Sequence, residues 1–199
     1  DENEEIDIKD NFRFLTINQI SNLILKNNSV NMDSRSVLSH LNYAPVKLIN
    51  QKKINEKELR DVLSDNSIID KKRINNLVDL LISSHQNTFS LHSFNSILHL
   101  ITKAKFKTEL STKLIPLNSV TNWKNSYHEI YHESKKYFSI IGVSVSSVNR
   151  EVSKWDQPII KQAYPGIVGF ICTKINGVNH YLVQLKTEPG VLDLVEISP

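Results

Sequence analysis

Apolar positions recur at helical spacing through the first half of the chain and fall into short branched runs in the second. Ile17, Ile20, Leu23 and Ile24 make one stripe in a helical pattern that begins near Phe14. Thr16 with Gln19 three residues later has the form of a capping box, so a helix is predicted to start there. Asp33 or Ser34 is placed to cap a short second helix through Leu41, and Pro45 lies beyond its end. Further helices are predicted at about 55–64, 70–84 and 90–104, where Leu77, Leu80 and Leu81, then Phe94, Ile97, Leu98 and Ile101, keep the period. After Pro116 the texture changes. Phe138–Val145, Ile167–Cys172, Tyr181–Leu185 and Val191–Ile197 are rich in branched residues and short enough to be strands. Asn176-Gly177 between two of these runs predicts a type I′ hairpin, because both central residues of that turn must accept positive φ.

This order of elements predicts an α+β or α/β protein of three parts: an acidic tail over 1–11, a helical segment over 12–112 and a sheet module over 113–199. With 199 residues and 40% hydrophobic content, the chain can bury one ordinary core. The formal charge of +3 conceals an asymmetry, since Asp1, Glu2, Glu4, Glu5, Asp7 and Asp10 oppose Lys9 alone at the start. That stretch reads as a solvated tail. The modestly basic remainder suits a phosphorylated small molecule, and with no Arg-rich or basic-aromatic run nucleic acid is not expected as a partner. No apolar run approaches the roughly 18 residues of a membrane span, and the acidic start is wrong for a signal peptide. The single cysteine, Cys172, excludes an internal disulfide and a cysteine-based zinc site, as expected for a soluble protein of the reducing cytoplasm.

Three clusters carry candidate chemistry. In the strand after the predicted hairpin, alternation puts His180, Leu182, Gln184 and Lys186 on one face, with Glu188 continuing the row before Pro189-Gly190. A base, an amide and a cation in a row can line a ligand pocket; a half-exposed strand turning its polar face to water has the same pattern. The segment from Asn149 to Pro158 packs Arg150, Glu151, Trp155, Asp156 and Gln157 together. Arg binds phosphate in bidentate fashion and Trp stacks on a base, though both also serve as ordinary packing residues near a strand end. Asp33 and Arg35 lie between two predicted helices, where they can supply a carboxylate and a guanidinium or simply cap and decorate a helix. His40, His85, His92, His99, His128 and His132 have no trustworthy metal-ligand spacing, and His128 with His132 reads as a strand or loop edge. No metal site is expected. With five glycines there is no phosphate loop, no nucleophile elbow and no ordinary Rossmann fingerprint.

Together these stretches resemble a known family. Phe14-Leu15-Thr16-Ile17-Asn18-Gln19-Ile20 and Asn31 through Ser39 are similar to the segment that joins the two repeats of the nucleotide-sugar 2,3-dehydratases. Leu114-Ile115-Pro116-Leu117, Trp123, Phe138 to Val145, Asn149 to Pro158, His180 to Gly190 and Val195 to Pro199 resemble the second repeat, in order. Residues 43–112 match in helical character only. The resemblance implies a Nudix-like fold, with a mixed sheet flanked by helices, but not Nudix chemistry. Arg150-Glu151 is followed by Val152-Ser153-Lys154-Trp155 where a Nudix box would place further carboxylates for magnesium.

The implied reaction removes the C2 hydroxyl of an NDP-4-keto-6-deoxyhexose, such as the dTDP sugar, on the way to a 2,6-dideoxy sugar. The C4 ketone acidifies the C3 proton, a base removes it, donors hold the enolate oxygen and an acid assists departure of the C2 hydroxyl. No cofactor is required. By the resemblance, Glu188 or His180 is the proton-transfer residue, and Lys186 and Gln184 stand near the developing oxyanion. Arg150 takes the diphosphate, Trp155 and Gln157 the base or the pocket wall, while Asp33 and Arg35 close the site from the helical side. A homodimer, or pairing with a second Nudix-like repeat, is the expected assembly. The alternative is a module that binds a sugar nucleotide or forms a dimer without catalysing.

Overall fold

A computed structural model describes residues 8–41, 57, 59–61, 70–85 and 89–199. The chain divides into two compact units, Asp1–Ser111 with Val168–Pro199, and Thr112–Ile167. The change of texture near Pro116 falls close to the first boundary; the second boundary has no counterpart in the hydrophobic pattern.

The first unit opens with strand β1 (Phe12–Leu15), which the sequence reading had assigned in part to the helical half. Thr16 then caps helix α1 (Ile17–Ile24) through the predicted capping box: its hydroxyl accepts from the Gln19 N–H, and the Gln19 side chain accepts from the Thr16 N–H. Helix α2 (Met32–Ser39) begins and ends about two residues before the predicted bounds, because its cap is Asn31, whose Oδ1 accepts the Ser34 N–H at 2.9 Å. Asp33 instead occupies the first turn, where a carboxylate complements the helix dipole. The prediction at 55–64 lies largely outside the described residues, of which Lys57 and 59–61 are helical. Helices α3 (Lys71–His85) and α4 (Phe94–Lys107) answer the last two predicted helices. Among the described residues no helix is long and apolar enough to cross a membrane.

Strand β7 (Val178–Thr187) organises this unit. The Asn176-Gly177 turn, with φ of 52° and 77°, folds β6 (Cys172–Ile175) back onto it as predicted. The predicted strand Ile167–Cys172 is displaced to β6, because the two-residue turn fixes Ile175 opposite Val178 and counts the pairing backward from there. β8 (Val195–Ser198) occupies only the end of its predicted run, after Gly190 and Leu194 take positive φ. Gln184 is opposite Phe12 on one edge and Ser198 on the other, while Tyr181 is opposite Leu15 and Cys172. β6 and β8 therefore follow one another along one edge of β7, and β1 holds the other.

Helices α1, α2 and α4 press Ile17, Ile20, Leu23, Leu38, Ile97 and Ile101 against Leu15, Val183 and Ile197. Helix α3 sets Ile74, Val78, Leu81 and Ile82 beside Val178. Each such fully buried aliphatic side chain contributes roughly 1.5–3 kcal/mol by transfer from water. Buried Ser83 ties these layers, accepting the Ile17 N–H at 3.0 Å and donating to the Asn179 carbonyl at 2.6 Å.

The second unit is one antiparallel sheet of order β2-β3-β4-β5, from Trp123–Asn125, Glu129–His132, Ser139–Ser146 and Lys154–Lys161. β5 takes the place of the loop that the sequence predicts there; Pro158 is tolerated in it because β5 is an edge strand. Instead of the mixed sheet expected, every ladder in both units is antiparallel, and the exception among the described residues is an isolated parallel bridge between Val30 and Ile197. The fold is α+β with two antiparallel sheets.

The capping box yields a test. Thr16→Ala leaves the Gln19 N–H without its acceptor in a buried position, and should lower stability by about 1–2 kcal/mol, read from the urea unfolding midpoint at unchanged m-value.

Candidate functional site

The end of β7 gives the first unit its candidate site. Lys186 and Glu188 are two residues apart on one extended face, within reach of each other, and their side chains form an ion pair at 2.7 Å while remaining half-exposed. Glu188 lines a hollow of about 370 Å³ together with Asp33, Glu196, Asn28 and Asn31, and with the turn at Gly190–Leu192. Asp33 and Glu188 come from distant parts of the chain because the segment before α2 is stitched to β8. The Asn31 N–H donates to the Ile197 carbonyl at 2.9 Å, the Ile197 N–H donates to the Ser29 carbonyl at 2.8 Å, and the Ser34 hydroxyl donates to the Ile197 carbonyl at 3.3 Å. The buried Asn31 amide reaches Ser198 Oγ at 3.1 Å and Asp33 Oδ2 at 3.5 Å. Lys105 of α4 closes the neighbouring turn, donating to the Asn28 carbonyl at 2.6 Å and pairing with Asp193 at 2.9 Å, a contact that holds the Asp193 carboxyl below its ordinary range.

Other residues singled out from sequence have different duties. His180 is 0% exposed: its Nε2 accepts the Leu91 N–H at 3.0 Å and its Nδ1 lies 2.9 Å from the Val178 carbonyl, so the tautomer that satisfies both carries its proton on Nδ1. An imidazole sealed from water with both nitrogens engaged has neither access to a ligand nor a free lone pair. Burial, with the charge of Arg13 nearby, pushes His92 below the ordinary histidine range. Gln184 donates to the Pro199 carbonyl at 3.1 Å beside its cross-strand partner Ser198. Arg35 does not face the hollow; its guanidinium donates to the Val30 carbonyl at 2.9 Å and to the Ile24 carbonyl at 3.4 Å, the second an acceptor left open in the last turn of α1. The polar row on β7 is thus split, its start in the core and its end at the hollow.

In the second unit, Arg150, Trp155, Asn149, Glu151 and Val152 line a hollow of about 540 Å³. The Arg150 guanidinium lies 5.8 Å from the Trp155 ring centroid, and the indole N–H donates to Gln157 Oε1 at 2.7 Å. Trp155 and Gln157 meet because both are on β5, two residues apart and so on one face. A guanidinium packed against an indole whose N–H is fixed offers a cation and a flat surface together, a combination that suits a phosphate linked to a ring. Among the described residues, no group of three or more His, Cys, Asp or Glu side chains is arranged to hold a metal ion.

The profile of the NDP-hexose 2,3-dehydratase family matches residues 1–41 and 94–199. The chain belongs to this family. Its relatives include the dTDP-4-dehydro-6-deoxy-alpha-D-glucopyranose 2,3-dehydratases of Amycolatopsis orientalis, 30% identical, and of Saccharopolyspora spinosa and Streptomyces violaceoruber, each 31% identical. Each alignment takes in 98% of the chain but 33% of the first relative and 37% of the other two, so this dehydratase-family chain spans about a third of their length. The two stretches matched by the profile carry every candidate residue named above and leave out 42–93, where the resemblance seen in the sequence was also confined to helical character.

Sequence reasoning missed Glu196, Asn28 and Asn31. A signal for Glu196 existed: it alternates with Val195 and Ile197, both buried, and is the cross-strand partner of Lys186. For Asn31 the cap was open to local reading, since asparagine is a favoured N-cap, but its contacts with Ser198 and Ile197 join residues far apart in the chain and left no signal.

His180→Ala should lower stability by roughly 2–4 kcal/mol, through a cavity and an unpaired Leu91 N–H, as measured by chemical denaturation. A variant as stable as the parent would return His180 to the list of functional residues.

Proposed function

We propose that this chain supplies part of the active site of an NDP-4-keto-6-deoxyhexose 2,3-dehydratase, acting on the dTDP sugar. The observation that carries the proposal is Glu188, ion-paired to Lys186 on a hollow that also holds Asp33 and Glu196, in a chain of this family. Glu188 takes the C3 proton of the 4-keto sugar. As it becomes neutral its hold on Lys186 weakens, and the ammonium is released toward the enolate oxygen that grows at C4. Collapse of the enolate expels the C2 hydroxyl, which leaves as water with a proton from Asp33 or Glu196. The resulting enol tautomerises to the 3,4-diketo sugar, so the elimination is redox-neutral.

Arg150 takes the diphosphate and Trp155 the base, with Gln157 fixing the indole. His180, Gln184 and Arg35 hold the first unit together around Glu188, through the Leu91 N–H, the Pro199 carbonyl and the Val30 and Ile24 carbonyls. The rest of such an enzyme, a second Nudix-like repeat in the resemblance above, completes the site; a homodimer is the other means of doing so.

A second reading makes the chain a sugar-nucleotide-binding or dimer-forming module without catalysis. The observation in its favour is that the chain spans only about a third of the length of its relatives. Glu188→Gln in the full-length protein decides between them. Loss of about 10²–10⁴ in kcat with KM little changed is expected, together with loss of C3 proton exchange followed by NMR. Undiminished turnover would remove Glu188 from the chemistry, and binding by calorimetry without exchange in the unsubstituted protein would favour the module.

A further inference from the structure

The core-facing stripe of helix α4 ends in a lysine. Ile97 and Ile101 are buried in the core of the first unit, and Lys105 follows them at the same four-residue step, so it leaves the helix on the packed face. Lys103 and Lys107 on the same helix are exposed, whereas the Lys105 side chain keeps 22% of its surface. Its ammonium bonds two turns at once, the Asn28 carbonyl at 2.6 Å and the Asp193 carboxylate at 2.9 Å. The Asn28 side chain also bonds the Asp193 carboxyl, so three groups meet at one junction.

Both turns are walls of the hollow that holds Glu188, Asp33 and Glu196: Asn28 belongs to one, and Gly190, Val191 and Leu192 to the other. The second turn starts at Glu188, whose carbonyl accepts the Val191 N–H at 3.4 Å, and it ends with the Val195 N–H on the Asp193 carbonyl at 2.8 Å. The residue that Lys105 grips by its side chain is thus also the one whose backbone sets the exit into β8 and Glu196. Leu194 between them takes φ of 66°, a region that leucine adopts only where its surroundings impose it. An ion pair whose carboxylate is 47% exposed adds little to global stability, so the worth of this one lies in the spacing of what it joins. Spacing matters to rate, because a displacement of about 1 Å at a reacting group can cost on the order of a hundredfold.

We infer that Lys105 is a positioning residue of the elimination: by joining the Asn28 and Asp193 turns, it sets the separation of Glu188, which takes the C3 proton, from Asp33 and Glu196, one of which protonates the departing hydroxyl. Lys105 itself touches no reacting atom. The inference rests on the dehydratase reading of Glu188 and adds to it a residue from outside the hollow.

In the full-length protein acting on the dTDP 4-keto-6-deoxy sugar, Lys105→Met should lower kcat by about 10- to 100-fold with KM little changed, and slow C3 proton exchange in proportion. Lys105→Arg still donates to a carbonyl and a carboxylate together and should recover most of that rate. Asp193→Asn takes the charge out of the tie at an exposed position and should lower kcat about fivefold, which serves in place of Lys105→Met should that variant fold poorly. The deciding measurement is a cycle with Glu188→Gln. If Lys105 acts through Glu188, adding Lys105→Met to that variant should slow its residual C3 proton exchange by less than about twofold, whereas independent losses multiply. Multiplied losses, kcat unchanged in Lys105→Met and Asp193→Asn, or no recovery with arginine would each overturn the inference. Full activity of Lys105→Met beside an inactive Glu188→Gln removes this inference and leaves the dehydratase reading in place; full activity of Glu188→Gln removes both.

Discussion

Two backbone hydrogen bonds between the stretch 29–31 and Ile197 are the contact on which the rest of the first unit depends. They pair a segment between two helices with a strand more than a hundred and sixty positions later, as the sequence separation of 167 between Asn31 and Ser198 makes plain. Around them a single side chain does several jobs: Asn31 caps α2, reaches Ser198 and touches Asp33. An amide suits this position because it accepts with one atom and donates with the other, and both capacities are used where water is excluded. The consequence is chemical as well as architectural. The same stitch that closes the core over Val30 and Ile197 sets the carboxylates of Asp33, Glu188 and Glu196 around one hollow.

Much of the local architecture was legible. The stripe Ile17, Ile20, Leu23 behind Thr16 and Gln19 encodes both the helix and its start, and the structure realises the reciprocal cap. Asn176-Gly177 encodes the hairpin through backbone geometry that few other residue pairs accept. Short-range signals of this kind need no knowledge of distant partners. The failures share the opposite property. β1 was hidden because four residues with two phenylalanines gain their extended form from pairing with β7, a partner far along the chain. β5 was hidden because Pro158 and a dense polar cluster mask a strand that only its edge position makes permissible.

The candidate site divides along the same line. Alternation correctly put His180, Lys186 and Glu188 in one row, yet period alone does not say how deep each end of a strand lies. Helix α3 and the segment at Leu91 cover the start of β7, and His180 becomes a core group; the far end emerges where Lys186 and Glu188 pair. Arg150, Trp155 and Gln157 were legible as a cluster since all three are close in sequence, and they do meet. Residues 112–167 include no fully buried side chain, so the unit relies on its ladders and on aromatic contacts such as Trp123 with Phe138 at 5.1 Å and His132 with Tyr137 at 4.7 Å. Sequence hydrophobicity in Ile140, Ile141, Val143 and Val145 announced strands there without announcing a core.

Because β7 answers to β1 on one edge and to β6 and then β8 on the other, its length is not free to drift. Losing or gaining one residue between Gly177 and Pro189 would invert every side chain beyond the change and misalign three neighbours at once, with Lys186 and Glu188 carried away from the hollow. Among members of the lineage this stretch should therefore vary by exchange of residues and not by their number. The turn that carries Lys135, bounded by a single hairpin, is where additions and deletions can accumulate without touching the elimination chemistry.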